Sequence, residues 1–230
     1  MSIYVCSDLH GCAREFLNLL ELIKFSDSDT LYIIGDIFDR GPDPLAIYDF
    51  IKDKENIIFI RGNHEQFFID FCESVKDDNV EEACIIWLEN GGGVTLKAIL
   101  NRDQEYYGEL YMYLKKSPYI KKVQDYILVH AGLELPTGYE NMTLDEIVSH
   151  QSEYSLLWDR TFIQSDDYIK DITVIVGHTP TEYLNPGQNN IIHKKGKILI
   201  DCSLVYGGRL GCLRLDDMKE FYIDRIFTTD

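Results

Sequence analysis

The sequence predicts an α/β protein in which parallel strands alternate with helices. Three short apolar runs, at residues 3–6, 31–34 and 57–60, are typical of buried strands. Because strand–helix–strand units form right-handed crossovers, we expect these strands to lie parallel in one sheet. Ligands of such sheets bind beyond the carboxyl ends of the strands. The residues that directly follow the three runs are therefore candidates for a functional site.

Helices are predicted between and after these strands. Apolar residues recur at helical spacing over residues 16–23, and residues 45–51 show a shorter amphipathic pattern. Residues 66–116 are charged and rich in tyrosine, and their pattern is mostly helical, with a glycine-rich break after Trp87. We expect this stretch to be a helical insertion that forms one wall of a cleft.

The second half of the chain returns to strands. Residues 119–122 and 126–129 predict a hairpin, residues 143–158 a helical stretch and residues 172–176 another buried strand. The remaining apolar runs predict an antiparallel meander over residues 191–193, 197–201, 210–215 and 221–223. No repeat or linker interrupts the pattern, so we expect residues 1–230 to form a single domain.

Composition narrows the classes of partner. With 230 residues, 45% of them hydrophobic, the chain can bury one substantial core. No apolar run is long enough to span a bilayer, and the first strand begins almost at once, so we expect a cytoplasmic protein. The six cysteines form no CxxC pair and are expected to be buried thiols. A net charge of −17 argues against binding to nucleic acid or to an anionic membrane.

Charged residues of metal-binding type follow the first two strands. Asp8 and His10 lie two apart in a turn, where a carboxylate and an imidazole can converge on one ion. Asp36 ends the second strand, where its carboxylate can bridge two metals. Asp39 and Arg40 come next, and the guanidinium of Arg40 matches phosphate oxygens in a bidentate manner.

The later strands add histidines and an amide. Asn63 and His64 follow the third strand, so Asn63 can complete a second metal site without adding charge. His64 can protonate a leaving oxygen, and Asp39 can orient its ring. His130 and His178 each follow an apolar strand and are expected to be further ligands. This set can hold two divalent metals and one phosphate, which predicts hydrolysis of a phosphate ester.

These motifs resemble those of the calcineurin-like metallophosphoesterases, specifically the phosphoprotein phosphatase branch with GDxHG, GDxxDRG and GNHE. The short bacterial and phage serine/threonine phosphatases are the most similar group. Ser7 replaces the glycine of the first motif, and Ser203 interrupts an Asp-x-Gly that is common before the last strands. The resemblance implies a four-layer αββα sandwich with mixed sheets and a helical insertion.

The resemblance also implies a role for each motif residue. The ligands of one metal would be Asp8, His10 and Asp36, and those of the other Asp36, Asn63, His130 and His178. His64 would be the general acid, oriented by Asp39. The candidate phosphate-binding residues are Arg40, Asn63 and Arg160, the last from a Trp158-Asp159-Arg160 segment. Two divalent ions are implied, Mn²⁺ by resemblance, while this ligand chemistry also suits Fe²⁺, Co²⁺ and Zn²⁺.

The expected activity is that of a serine/threonine phosphoprotein phosphatase, by direct attack of a metal-bridging hydroxide without a phosphoenzyme. The expected substrate is a phosphorylated protein or a small phosphate ester. The alternative is a symmetrical dinucleoside tetraphosphate (Ap4A) hydrolase of the same superfamily. The Asp39-Arg40 step and Glu65 favour a phosphomonoesterase over this alternative. A third hypothesis, a non-catalytic scaffold, predicts lost ligands, whereas every expected position is filled. The oligomeric state is not predicted.

Overall fold

A computed structural model describes residues 1–75 and 80–227, and within them the chain forms two five-stranded sheets and eight α-helices. The strands are β1 (Ile3–Cys6), β2 (Thr30–Ile34), β3 (Ile57–Ile60), β4 (Ile120–Val123), β5 (Tyr126–Val129), β6 (Thr173–Val176), β7 (Ile192–Lys194), β8 (Lys197–Leu199), β9 (Arg209–Arg214) and β10 (Lys219–Asp224). The helices are α1 (Ala13–Leu22), α2 (Ala46–Ile51), α3 (Asn63–Ser74), α4 (Val80–Trp87), α5 (Gly93–Ile99), α6 (Gln104–Lys116), α7 (Leu144–Ser149) and α8 (Glu153–Leu157).

The first sheet has the strand order β10-β9-β1-β2-β3. Its β1, β2 and β3 run parallel, as the sequence predicts, with Tyr4 opposite Leu31 and Leu31 opposite Ile57. Helices α1 and α2 connect these strands. The carboxyl ends of the three parallel strands therefore meet at one edge of the sheet, and β9 and β10 complete the sheet as an antiparallel pair.

The second sheet has the order β4-β5-β6-β8-β7, with β4 and β7 antiparallel to their neighbours. The predicted meander over the last four strands is wrong. Strands β7 and β8 form one hairpin in this sheet, whereas β9 and β10 form another hairpin in the first sheet. The reason lies in tertiary pairing: β8 pairs parallel with β6, and β9 pairs with β1.

Successive residues of the central strands face different layers, because side chains alternate across a strand. Tyr4 packs with the helices that cover the first sheet, and Val5 packs between the sheets. In the second sheet Leu128 and Ile175 also lie between the sheets, while Val174 faces the outer helices. The result is helix, sheet, sheet and helix, which confirms the predicted four-layer sandwich with mixed sheets.

The segment between β3 and β4 is mostly helical where it is described, from α3 to α6. Buried Phe68 of α3, Trp87 and Leu110 belong to the core of the first sheet. The predicted helical stretch at 143–158 is two short helices, which begin at separate capping residues, Thr143 and Ser152. Among the described residues, no helix combines the length and apolar character needed to cross a membrane.

Candidate functional site

The site lies where the loops after β1 and β2 run side by side. Backbone hydrogen bonds join them, from His10 N–H to the carbonyl of Asp36 (2.8 Å) and from Gly11 N–H to that of Ile37 (2.9 Å). The backbone here is in the left-handed region at several residues other than glycine: Asp8, His10, Asp36, Asp39 and Arg40, with φ between 41° and 66°. Each such residue is strained by about 1 kcal/mol or more, and such strain clusters at functional sites.

Gly35 allows the two sheets to approach each other at this point. Its φ is +88°, and a Cβ atom there would overlap the ring of His130 and lie 2.7 Å from the Cα atom of Gly62. His130 comes from the second sheet, directly after β5. A side chain at position 35 would therefore displace one of the predicted metal ligands.

His10, Asp36 and His64 form the first group of candidate ligands, with ligand atoms within 4.8 Å of one another. His10 Nε2 lies 3.6 Å and His64 Nε2 3.9 Å from Asp36 Oδ2. The Nδ1–H of His10 donates to the carbonyl of Phe38 (2.8 Å), which leaves Nε2 as the ring nitrogen with the lone pair on the Asp36 side. Arg40 Nη1 donates to that nitrogen (2.6 Å).

Asp36, His130 and His178 form the second group. The Nδ1–H of His130 donates to the carbonyl of Ile34 (2.9 Å), and its Nε2 lies 3.4 Å from Asp36 Oδ1. Asn63 joins this group, because its Oδ1 lies 2.9 Å from both His130 Nε2 and His178 Nδ1. Asp36 thus faces both groups, at the place predicted for a bridging carboxylate.

Asp8 does not join either group among the described residues, although the sequence predicts it as a ligand beside His10. Its carboxylate accepts hydrogen bonds from the hydroxyl of Ser7 and from the backbone N–H of His178 (3.0 Å). Burial, and then the charges of Asp201 and Asp36, raise its pKa well above the usual value. The Ser7 Oγ also lies within hydrogen-bond distance of the carbonyl of Ile34 (2.9 Å), so serine fits this position.

The pKa values of the site histidines are shifted in opposite directions. Burial lowers the pKa of His10, as does the neighbouring His64, and burial and His130 lower that of His178 to about 3. Burial also disfavours charge on His130, but the carboxylate of Asp36 outweighs it and raises the pKa to about 10. The two histidines of low pKa present neutral imidazoles at pH 7, the form that binds metals.

The residues present fit a pair of divalent ions. Metal-binding histidines usually donate their second ring N–H to a carbonyl or a carboxylate, and both His10 and His130 do so. His64 Nε2 is buried and has no hydrogen-bond partner among the described residues. Carboxylate, imidazole and carboxamide atoms around Asp36 are the donor types that Mn²⁺, Fe²⁺, Co²⁺ and Zn²⁺ accept.

A buried hydrogen-bond network orients His64. Its Nδ1–H donates to Asp39 Oδ2 (2.7 Å). The Asp39 carboxylate also accepts from Trp87 Nε1 (3.0 Å) and from the Thr95 hydroxyl (2.5 Å), and the Asp39 N–H donates to Thr95 Oγ1 (3.0 Å). These contacts fix the ring with Nε2 as the unpaired nitrogen.

Arg40 and Arg160 line one cavity of about 440 Å³ together with His64. Arg160 Nε donates to His178 Nε2 at 3.4 Å, which places this guanidinium beside the second ligand group. Arg61, by contrast, is absent from the residues that line the cavity. Its guanidinium donates to the carbonyls of Lys115 and Ser117, so it anchors the end of α6.

Sequence reasoning missed Asp201, which is buried and lines the same cavity. Burial, and then the charge of Asp36, raise its pKa to about 6. Its Oδ1 accepts the N–H of Ser203, which has a φ of 62°. That left-handed conformation explains why glycine would suit position 203. The available signal was an aspartate just after an apolar strand.

Comparison with known proteins identifies the relatives of the chain. The sequence profile of the calcineurin-like phosphoesterases matches residues 1–209. A symmetrical bis(5′-nucleosyl)-tetraphosphatase of Nitrosospira multiformis is 34% identical over 135 residues, which cover 58% of this chain and 44% of that protein. The protein of the same name in Coxiella burnetii is 28% identical over 183 residues, 78% of this chain and 55% of that protein. The chain spans about half the length of these curated relatives.

A solved structure shares the fold over nearly the whole chain. It is a crystal structure described as that of a candidate diadenosine tetraphosphatase, and it superposes with a TM-score of 0.67 at 19% identity. The match covers 99% of this chain and 95% of that one. At this identity the likeness shows the fold alone.

These findings correct the predicted activity and substrate. The expectation of a serine/threonine phosphatase acting on a phosphorylated protein is wrong, because the curated relatives are named tetraphosphatases. Glu65 had favoured a phosphomonoesterase, yet it is buried and accepts the backbone N–H groups of Gly62, Asp36 and Ile37 (2.9 Å each). It therefore holds the loops together and does not discriminate between substrates.

Arg40 does not discriminate either, because a guanidinium binds the oxygens of a phosphomonoester and of a polyphosphate alike. Six of the predicted site residues line one cavity: Asp36, Arg40, Asn63, His64, Arg160 and His178. With two mixed sheets in four layers and a profile match over residues 1–209, this chain belongs to the calcineurin-like phosphoesterase family.

Proposed function

We propose that this chain hydrolyses dinucleoside tetraphosphates such as diadenosine tetraphosphate, by symmetrical cleavage that gives two nucleoside diphosphates. The observation that carries the proposal is one cavity lined by the unpaired Nε2 of His64 and by the guanidiniums of Arg40 and Arg160. The names of the relatives from Nitrosospira multiformis and Coxiella burnetii support this class of substrate.

We propose the following ligands for two divalent ions, with Mn²⁺ as the expected metal. Asp8, His10 and Asp36 would hold one ion, and the second would have the ligands Asp36, Asn63, His130 and His178. Such a pair supplies an activated water at neutral pH and neutralises charge on phosphate oxygens. The contacts of Asp36 with His10 and His130 support its place between the two ions.

The two arginines would bind the polyphosphate. A tetraphosphate is a strong polyanion, and the planar guanidiniums of Arg40 and Arg160 can each donate two hydrogen bonds to its oxygens. Phosphoryl transfer depends mostly on such positioning and neutralisation of charge. Asn63 lines the same cavity, and its amide N–H groups could donate to a phosphate oxygen.

His64 would donate a proton from Nε2 to the oxygen that leaves with one nucleoside diphosphate. The proton leaves an imidazolium, and the neutral ring keeps its Nδ1–H on Asp39. Because Asp39 is held by Trp87 and Thr95, the ring is already oriented before the substrate binds. General acids of this kind contribute about 10²- to 10⁴-fold to a rate.

A comparison of substrates tests the proposal. Mn²⁺-loaded protein would be assayed with diadenosine tetraphosphate, a panel of phosphoserine and phosphothreonine peptides, and p-nitrophenyl phosphate, with His64→Asn as the control for contaminating hydrolases. We expect the highest kcat/KM on the dinucleotide. Higher values on the peptides, lost in the same control, would overturn the proposed substrate and leave the metal site intact.

A further inference from the structure

The rim of the cavity carries an unusual set of aromatic side chains. The chain has fifteen tyrosines, and the three that are exposed are Tyr154, Tyr183 and Tyr206, at 67%, 72% and 64% of their surface. All three line the cavity that contains His64 and the two arginines. Exposed aromatic rings gathered at one opening are typical of a binding surface.

The three tyrosines contribute little to the fold. Among the described residues, none of their rings packs against another aromatic ring, and none of their hydroxyls forms a hydrogen bond. Tyr206 has one specific contact, with the guanidinium carbon of Arg40 5.5 Å from its ring centroid. Their position at the opening therefore has no structural explanation within the described protein.

Aromatic side chains lie beside both proposed phosphate-binding arginines. Tyr206 lies next to Arg40, and Trp158, two residues before Arg160, also lines the cavity. Tyr154 comes one helical turn before Trp158. Phe67 connects Trp158 with His64, because its ring centroid lies 6.2 Å from that of Trp158 and 5.5 Å from that of His64.

We propose that Tyr154, Tyr183 and Tyr206 are the surfaces on which the nucleobases of the substrate stack. This inference rests on the proposed dinucleotide substrate, which is a polyanion with an aromatic base at each end. The arginines match its centre, and the exposed rings match its ends. Phosphoserine or an inorganic polyphosphate offers nothing for these rings to bind.

Stacking also predicts a tolerant specificity. Every nucleobase has a π-face, so stacking on a side-chain ring accepts all bases with similar strength. We therefore expect diguanosine and diadenosine tetraphosphates to have kcat/KM values within about fivefold of each other. The rim recognises the presence of a base, while the arginines and the metal site select the phosphate chain.

The test compares a substrate that carries two nucleosides with one that has the phosphate chain alone. Tyr154→Leu, Tyr183→Leu and Tyr206→Leu remove the ring, and the matched Phe variants keep it. For each protein kcat/KM is measured with diadenosine tetraphosphate and with inorganic tetraphosphate. We expect one or more Leu variants to lower the ratio of the two values about tenfold, mainly through KM for the dinucleotide, and the Phe variants to retain the ratio.

Binding gives a readout that is independent of turnover. In the presence of a chelator, calorimetric titration would compare adenosine diphosphate with pyrophosphate. We expect the effective Leu variants to weaken binding of the nucleotide about tenfold and binding of pyrophosphate less than about twofold. Equal weakening of both ligands would mean that the tyrosines act on the phosphates, which overturns the assignment.

The two proposals fail in different ways. If the wild-type protein cleaves the dinucleotide and all Leu variants keep the wild-type ratio, the tyrosine assignment is overturned and the proposed function stands. If the wild-type protein hydrolyses other phosphate esters but not the dinucleotide, the proposed function is overturned, and the tyrosine assignment falls with it.

Discussion

The loops that follow β1 and β2 and the layer between the two sheets are built in opposite ways. The loops bury charged residues and hold five residues other than glycine at positive φ. The layer between the sheets is mostly aliphatic, with Val5, Ile34, Leu128 and Ile175 fully buried on regular strands. The strained loops begin where the strands end, so the same strands that build the layer hold the site.

This contrast indicates that the stability of the fold and the chemistry of the site depend on different parts of the protein. A buried carboxylate near others is costly unless it is neutralised, and left-handed backbone at aspartate is strained. Such loops persist only because the surrounding structure fixes them. We therefore expect changes in the loops to reduce activity more than stability, and changes in the layer between the sheets to do the reverse.

The largest effect is expected for Asp36→Asn. Asp36 faces both ligand groups, so the variant should bind less Mn²⁺ and lose at least about 10³-fold in kcat, since bound metal is worth several kcal/mol in the transition state. The matched control is Asp171→Asn, an exposed aspartate that also has positive φ. Full metal content together with a near wild-type rate in Asp36→Asn would contradict the bridging assignment.

The opposite result is expected for Ile175→Ala in the layer between the sheets. Ile175 is fully buried and pairs with Leu128, so the cavity should lower the free energy of unfolding by about 2–5 kcal/mol, against about 0.5–1.5 for Ile175→Val. Urea unfolding in the presence of a chelator measures this, and kcat per folded molecule should hardly change. A loss of rate as large as that of Asp36→Asn would contradict the expected difference between the loops and the layer between the sheets.

His64→Asn should lower kcat about 100-fold with the metal content retained. The diagnostic readout is the dependence of rate on the leaving group across a series of substituted phenyl phosphates. Without the proton donor, substrates with poor leaving groups should lose most, so the dependence becomes steeper. A uniform loss across the series would exclude the role of His64 as general acid.

A smaller effect is expected from Thr95→Val, which removes the hydroxyl that binds Asp39 and keeps the shape of the side chain. Outer hydrogen-bond partners of this kind are worth about 10- to 100-fold, and we expect a decrease in kcat near the lower limit with little change in KM. Thr95→Ser keeps the hydroxyl and should recover most of the rate. Equal rates in the two variants would show that the hydrogen bond does not position His64.

The smallest effect is a release of protons when metal binds. The pKa of about 10 keeps His130 protonated at pH 8 in chelator-treated protein. A metal binds the lone pair of a neutral imidazole nitrogen, so Mn²⁺ should displace at least about one proton from the protein. The number of protons released from His130 should fall as the pH rises through 10, because the ring is then already neutral before metal binds. A titration in dilute buffer measures this, with His150→Ala outside the site as control. No release at pH 8 would contradict His130 as a ligand.

The sequence was sufficient for the parts of the fold that depend on local pattern. The alternation of apolar runs predicted the three parallel strands, and Asp36, Arg40, Asn63 and His64 from the motifs after them do line one cavity. The pairing of β8 with β6 and of β9 with β1 depends on contacts between distant segments. No local pattern distinguishes those hairpins from a meander.

The site was predictable to a similar degree. Arg40 and Arg61 both follow a strand, but the carbonyl groups that bind Arg61 come from the end of α6, far along the chain. In the sequence Asp201 cannot be distinguished from any other aspartate that follows a strand. Only the fold brings it near Asp8. The expected substrate was wrong because the motif residues suit the phosphates of monoesters and of polyphosphates alike. The exposure of Tyr154, Tyr183 and Tyr206 at one opening is visible only in three dimensions.

The most direct test of the account is the identity of the first products from diadenosine tetraphosphate. Mn²⁺-loaded protein would be sampled by chromatography during the first tenth of the reaction, with His64→Asn in parallel. Symmetrical hydrolysis predicts adenosine diphosphate as the sole nucleotide product, formed far more slowly by the variant. Equal amounts of the mono- and triphosphates, or an intact dinucleotide beside rapid turnover of phosphopeptides, would contradict the proposed function.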